Sequence, residues 1–255
     1  MAGAGGRRLA FIEAGPRSDL PSTVFVHGAG GNRQSWLLLL RDLAKRGLHG
    51  LALELPGHGA SPGPGCSDIG EYADIVQAFI EENLPSKTVL AGHSMGGAVA
   101  QECGLASPGI LRGLILIGTG ARLRVREKIL SGLLSDFEST AADIAPLLYS
   151  PAAPAALLEE GRRRLLECPP GVMHGDFLAC DAFSRMEEAG KIRLPTLVVC
   201  GSDDALTPPK YSRFLAENIP AASLQIVERA GHMVMVERPS QVGEAIHGFI
   251  SSLGL

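Results

Sequence analysis

Gly92-His93-Ser94-Met95-Gly96 constrains this chain more than any other stretch. An apolar run, Thr88 to Ala91, stands before it, and a helix-compatible run, Gly97 to Cys103, follows. In that setting the G-x-S-x-G pattern describes a buried strand, a sharp turn and a helix in succession. Such a turn strains the backbone of the serine and needs small residues where helix and strand approach closely. It also lifts the hydroxyl clear of the sheet and points the Met95 N–H to where a negatively charged oxygen would develop. A second match, Gly59-Ala60-Ser61-Pro62-Gly63, fails on physical grounds. Pro62 has no N–H to donate, and the stretch is rich in Pro and Gly with no helix behind it. Ser61 is therefore assigned to a loop and Ser94 to the reactive position.

Length and composition narrow the rest. A chain of 255 residues, 45% hydrophobic and 20% charged, suits one large domain, or one domain with an insertion, around a substantial core. Its formal net charge of −4 argues against nucleic acid or an anionic membrane as main partner and leaves a small molecule. No apolar run reaches membrane-spanning length, and Met1 to Arg8 precedes no signal-peptide core, so a cytoplasmic location is expected. Cys66, Cys103, Cys168, Cys180 and Cys200 lack C-x-x-C spacing, which points to reduced thiols rather than to disulfides or zinc. No metal or organic cofactor is expected, and the oligomeric state is left open.

Taken in order, Arg8 to Ala14 reads as a short strand and Thr23 to Val26 as a second. The second runs into the loop His27-Gly28-Ala29-Gly30-Gly31 and a helix from about Arg33 to Lys45. Leu48 to Leu55 is a further strand, closed by Pro56-Gly57-His58-Gly59. Ile69, Tyr72, Ile75, Val76, Phe79 and Ile80 give one apolar face to a helix over 69–83. Strands over Leu114 to Ile117, Thr196 to Cys200 and Leu224 to Val227 follow, with helices over 210–218 and 240–253. Near-continuous apolar strands alternating with amphipathic helices indicate a parallel sheet covered on both faces. Between about Gly120 and Gly190 the alternation stops, leaving only helical pieces separated by prolines. The expected organisation is thus a core of residues 1–119 and 191–255 with a helical insertion, 120–190, lying over the site.

A serine hydroxyl is a poor nucleophile until a histidine takes its proton, and the histidine needs a carboxylate to orient it. Open parallel sheets carry such groups at the C-terminal ends of their strands. His232 follows the last strand directly, in Ala230-Gly231-His232-Met233. His93, beside the serine, is expected to point elsewhere, His27 and His58 belong to earlier loops, and His49, His174 and His247 have structural or solvated settings. The loop after Thr196 to Cys200 offers Asp203 and Asp204, and the residues alone do not choose between them.

Five stretches in succession resemble the signatures of the α/β-hydrolase family, of the esterase and lipase-like kind with a helical cap. They are His27-Gly28-Ala29-Gly30-Gly31, Glu54 through Ser61, Gly92 through Gly97, Gly201 through Pro208, and Gly231-His232. The resemblance implies an α/β-hydrolase fold with a mostly parallel central sheet, helices on both faces and an inserted helical cap. In the family's G-x-x-D-x-x-x-P pattern the acid is Asp204, and the residue after His-Gly, Ala29, gives the second oxyanion-hole donor beside Met95. A Ser94-His232-Asp204 triad is thereby implied, together with hydrolysis of a carboxylic ester or thioester of a small to medium apolar substrate. Two departures stand out. Glu54 occupies a position where the family usually has Asp, and the short segment before Thr23 implies a missing or reduced antiparallel strand.

Alternatives on the same fold are a C–C bond hydrolase of ring-cleavage products, which commonly has Asn where His93 stands, and a non-catalytic ligand-binding protein. In the insertion, Phe137, Met173, Phe177 and Phe183 are the candidate substrate-binding residues, with Leu147, Leu148, Tyr149 and Met186 nearby. Arg162-Arg163-Arg164 reads as a solvated helix face. Trp36 either lines the site or closes the sheet.

Overall fold

A computed structural model describes residues 2–4, 7–84 and 88–254. Strands β1 (Ala2–Ala4) and β2 (Arg7–Leu9) form a small antiparallel ribbon. The main sheet has seven strands: β3 (Phe11–Ala14), β4 (Thr23–Val26), β5 (Gly50–Leu53), β6 (Thr88–His93), β7 (Leu111–Ile117), β8 (Thr196–Gly201) and β9 (Ala222–Val227). Their order across the sheet is β3-β5-β4-β6-β7-β8-β9. Only β3 runs antiparallel, against β5, so the reduced N-terminal strand is present as four residues.

Period-two alternation puts neighbouring strand residues on opposite faces. On one face Val24, Val26, Leu90, Leu114, Leu116 and Val198 pack under α2 (Ile69–Asn83), α3 (Met95–Ala106) and α8 (Pro209–Asn218). On the other, Phe25, Val89, Ala91, Ile115, Ile117 and Val199 meet α1 (Leu37–Lys45), the short α9 (Val234–Glu237) and α10 (Pro239–Ser252). Helix α2 covers the span that its apolar spacing predicts. Asp68 caps it, accepting from the Gly70 and Glu71 N–H groups at 2.7 and 3.2 Å, a contribution of about 1 kcal/mol. The predicted helix from Arg33 begins instead as a 3₁₀ turn, Arg33–Trp36, capped by Asn32. Trp36 is fully buried against Phe25, with ring centroids 5.0 Å apart, so it closes the sheet and does not line the site.

Between β7 and β8 lie α4 (Glu127–Ser135), α5 (Phe137–Ile144), α6 (Ala155–Leu166) and α7 (Pro170–Ala182). Leu133, Ala141, Ile144, Ala145, Leu165, Cys168 and Met173 form the small core of this insertion. Among the described residues no helix is long and apolar enough to cross a membrane.

The sheet order also locates the crevice. From β4 the chain passes to β5 on one side, and from β6 it passes to β7 on the other. Connections leaving two adjacent strands in opposite directions open a gap above their C-terminal ends, where open α/β sheets bind ligands. Here that gap lies between the loop after β4 and the turn after β6.

Candidate active site

Ser94 sits in the turn between β6 and α3 at φ 53°, ψ −117°, a left-handed conformation that costs a non-glycine residue about 1–3 kcal/mol. Its surroundings hold it there. The Ser94 N–H donates to Ile117 O at 2.9 Å, and the Gly97 N–H and Thr119 hydroxyl donate to Ser94 O at 2.9 and 2.8 Å. A Cβ on Gly92 would lie 1.9 Å from Gly96 O, and one on Gly96 would lie 2.2 Å from Val26 O, so both positions exclude any larger residue. Among the described residues neither the Met95 N–H nor the Ala29 N–H donates to another protein group.

Asp204, buried at 3% exposure, and His232, equally buried, stand on the loops after β8 and β9. His232 Nδ1–H donates to Asp204 Oδ2 at 2.9 Å and lies 3.2 Å from the Thr207 hydroxyl. The carboxylate also accepts from the Leu206 and Thr207 N–H groups at 2.9 and 2.8 Å and from Thr207 Oγ1 at 2.8 Å. Burial alone would favour the neutral acid, but attraction to His232 and these donors outweigh it and hold Asp204 below the usual carboxylate range. Asp203 is exposed and accepts from the Ser150 and Ser202 hydroxyls, so of the two acids only Asp204 faces the imidazole. Gly118 stands at φ +51°, and a Cβ there would lie 3.2 Å from His232 O, so that position beside the pair favours glycine.

With Nδ1 committed to Asp204, His232 Nε2 is the nitrogen left for the cavity that His232 and Ser94 both line. No hydrogen bond joins Ser94 Oγ to the ring; such contacts commonly tighten only on substrate binding.

Contrary to the sequence expectation, His93 does not point away. It is buried, its ring lies 4.5 Å from that of His232, and its Nε2–H donates to His232 O at 3.0 Å. Burial and repulsion from His232 drive its pKa down to about 3, so it stays neutral and holds the histidine loop as a donor. The insertion supports the same loop. Leu148 O accepts from the Met233 N–H at 2.8 Å, and Glu237 accepts from the Gly231 and Ser150 N–H groups at 2.7 and 3.0 Å. A Cβ on Gly231 would lie 2.3 Å from the Tyr149 carbonyl carbon, so the two segments touch backbone to backbone.

The cavity holds about 470 Å³, within the usual range for a small-molecule site. Gly28 to Gly31, Ser94 and His232 form its floor, and Leu123, Val125, Ile129, Ile144, Leu147 and Leu148 supply apolar walls. Of the four candidate pocket residues, Phe177 lines it and the other three do not. Phe137 and Met173 pack in the insertion's own core, and Phe183 joins the main core beneath α3, because an isolated helical insertion needs its large side chains for its own burial. Arg162, Arg163 and Arg164 pair with Glu159, Glu160 and Glu167 on the helix surface as expected, and Arg164 also lines the cavity and donates to Gln34 Oε1 at 2.8 Å.

Three residues of the two earlier stretches complete the surroundings. His27 accepts the Leu55 N–H at Nε2 and donates from Nδ1 to Gly28 O. Ser61 accepts the Ala10 N–H and donates to Glu54 O, the loop role expected of it. His58 donates from Nε2 to the fully buried Asp176 at 2.8 Å. Burial opposes protonation of His58, but the hydrogen bond and charge of Asp176 prevail and raise its pKa to about 10. In the unfolded chain an imidazole releases its proton near pH 6.5. The stabilisation from this pair is therefore complete below that pH and is lost as pH climbs toward 10, by about 1.4 kcal/mol per unit. Thermal unfolding of His58→Gln is expected to be flatter over that window than wild type by one proton's slope; parallel profiles would sink the ion-pair assignment. Among the described residues no group of three or more His, Cys, Asp or Glu side chains could hold a metal ion.

A mostly parallel sheet with serine at a strand–helix turn, acid after β8 and histidine after β9 defines the α/β-hydrolase class. Residues 23–245 match the alpha/beta hydrolase family, and the chain belongs to it. At 31% identity over 83% of its length it is similar to a pimeloyl-(acyl-carrier protein) methyl ester esterase from Chromobacterium violaceum, 87% of which is covered. A likeness of 30% over 96% of this chain extends to the dihydrolipoyllysine-residue acetyltransferase component of an acetoin cleaving system from Pseudomonas putida, 67% of which is covered. Among solved structures, a thermophilic esterase aligns with a TM-score of 0.84 and 32% identity, covering 98% of this chain and 96% of that one. By family, then, the protein is a hydrolase.

Proposed function

We propose that the protein is a serine esterase that cleaves a carboxylic ester or thioester of a small to medium apolar substrate through Ser94, His232 and Asp204. The observation that carries this reading is the buried His232–Asp204 pair presenting its free nitrogen to the cavity floor where the strained Ser94 stands. Ser94 Oγ attacks the carbonyl carbon while His232 accepts its proton, and Asp204 stabilises the imidazolium that results. The Ala29 and Met95 N–H groups receive the oxyanion, each worth about 3–4 kcal/mol in comparable sites. His232 then protonates the leaving alcohol or thiol, and water hydrolyses the acyl-enzyme by the reverse sequence.

Residues 120–190 act in this reading as a cap whose apolar walls receive the acyl chain, with Phe177 among them. The five cysteines are buried and form no disulfide among the described residues, which fits a reducing cytoplasmic setting. A fluorophosphonate probe is expected to label wild type stoichiometrically at Ser94, and p-nitrophenyl esters of short to medium chain length are expected to be turned over. Pure, folded protein that neither reacts with the probe nor cleaves the esters would refute the proposal.

A further inference from the structure

Behind the loop after β4 lies a polar cluster that the proposed chemistry leaves without a task. Asp176, on α7 of the insertion, is fully buried. Its Oδ2 accepts from the Gly30 N–H and from His58 Nε2–H, both at 2.8 Å, and its Oδ1 accepts from the Tyr72 hydroxyl at 2.6 Å. The three donors come from the loop after β4, the loop after β5, and α2. A buried ionised carboxylate is costly, and an apolar residue could dock a helix more cheaply. Where such a group persists, a specific orientation is the reason to look for.

The contact falls on one amide in particular. Gly31 N–H closes a turn onto Gly28 O at 3.0 Å, Gly30 N–H is held by Asp176, and Ala29 N–H, between them, donates to no protein group among the described residues. Gly30 stands at φ +63°, and Met173, one helical turn before Asp176 on α7, fills the space a side chain there would need, with Cε 2.5 Å from the Cβ position. Val172 presses likewise on Gly57 and Gly65, so α7 grips both loops at once.

We propose that Asp176 is a positioning residue: by fixing the Gly30 peptide it aims the neighbouring Ala29 N–H at the oxyanion, so that the hole is complete only when α7 is seated on the core. The insertion then does more than shape a pocket, since it supplies the contact that organises one of the two donors. This inference rests on the serine-esterase reading.

Asp176→Asn tests it most directly, because an amide offers one acceptor oxygen where the site has three donors. The measurements, on the full chain, are kcat and KM for p-nitrophenyl butyrate, thermal midpoint, and Ki for a trifluoromethyl ketone of similar length. That ketone mimics the reaction: Ser94 Oγ bonds to its carbonyl carbon, the π pair moves to oxygen as the oxyanion, and the serine proton passes to His232. In the variant, kcat is expected to fall about 10–100-fold and Ki to weaken in parallel, with KM changing by less than about threefold. A merely structural role would lower the thermal midpoint and the active fraction but leave Ki at its wild-type value, and that result would overturn the proposal. Should Asp176→Asn fail to fold, Asp176→Ser decides instead: the shorter hydroxyl withdraws the carboxylate from the Gly30 N–H, and an unchanged ketone Ki would be equally fatal. Wild type that neither hydrolyses the ester nor binds the ketone would fail the esterase reading itself, a distinct outcome.

Discussion

Ser94→Ala is expected to lower kcat for ester hydrolysis by about a million-fold while leaving the fold intact. The size follows from what the substitution removes. Without the hydroxyl no acyl-enzyme forms, and only binding and the oxyanion amides remain to assist water. Structural damage should be slight, because no hydrogen bond of the described residues depends on Ser94 Oγ, and the backbone contacts to Ile117, Gly97 and Thr119 do not involve it. Alanine must still adopt φ 53°, a strain the serine already bears. Steady-state turnover of a p-nitrophenyl ester by purified variant checks this, and activity within tenfold of wild type would eliminate Ser94 as nucleophile.

Asp204→Asn comes next, with an expected loss of about 10⁴ in kcat, while its neighbour Asp203→Asn should stay within about threefold of wild type. The carboxylate accepts His232 Nδ1–H at 2.9 Å, which in the proposed mechanism leaves Nε2 to accept the serine proton. An amide group facing Nδ1 would favour the opposite tautomer and abolish that ability. Asp203, exposed and bonded to Ser150 and Ser202, makes no contact with the imidazole. Kinetics on the two variants side by side provide the check, and equal losses at 203 and 204 would unseat the acid assignment.

Much of this architecture is legible in the chain because its signals are local. Alternation of apolar strands with amphipathic helices fixes the parallel sheet, and apolar spacing over 69–83 sets the limits of α2. Gly92 marks the turn because its steric exclusion by Gly96 acts within five residues, whereas Gly96 is held small by Val26 on β4. What stays hidden depends on distant approach. His58 and Asp176 are 118 positions apart, and nothing near either one announces a buried pair. His93 looked idle because a histidine beside the serine gains its task only when the loop carrying His232, 139 residues later, folds over it. The choice of Phe137, Met173 and Phe183 as pocket residues failed for a related reason. Hydrophobicity identifies what will be buried, but not whether a cavity or a neighbouring helix does the burying.

The backbone contact between Leu148–Ser150 and the loop bearing His232 limits how this scaffold can be re-engineered. Grafting a different segment between β7 and β8 would replace not only cavity walls but also a buttress of His232, the proposed general base. A chimera that shifts the Leu148 carbonyl would lose turnover on every substrate alike, and screening for new preferences would misread that as poor recognition. Rim positions such as Leu123, Val125, Ile129 and Tyr211 line the cavity without touching that buttress, and they are where selectivity can be varied independently of rate.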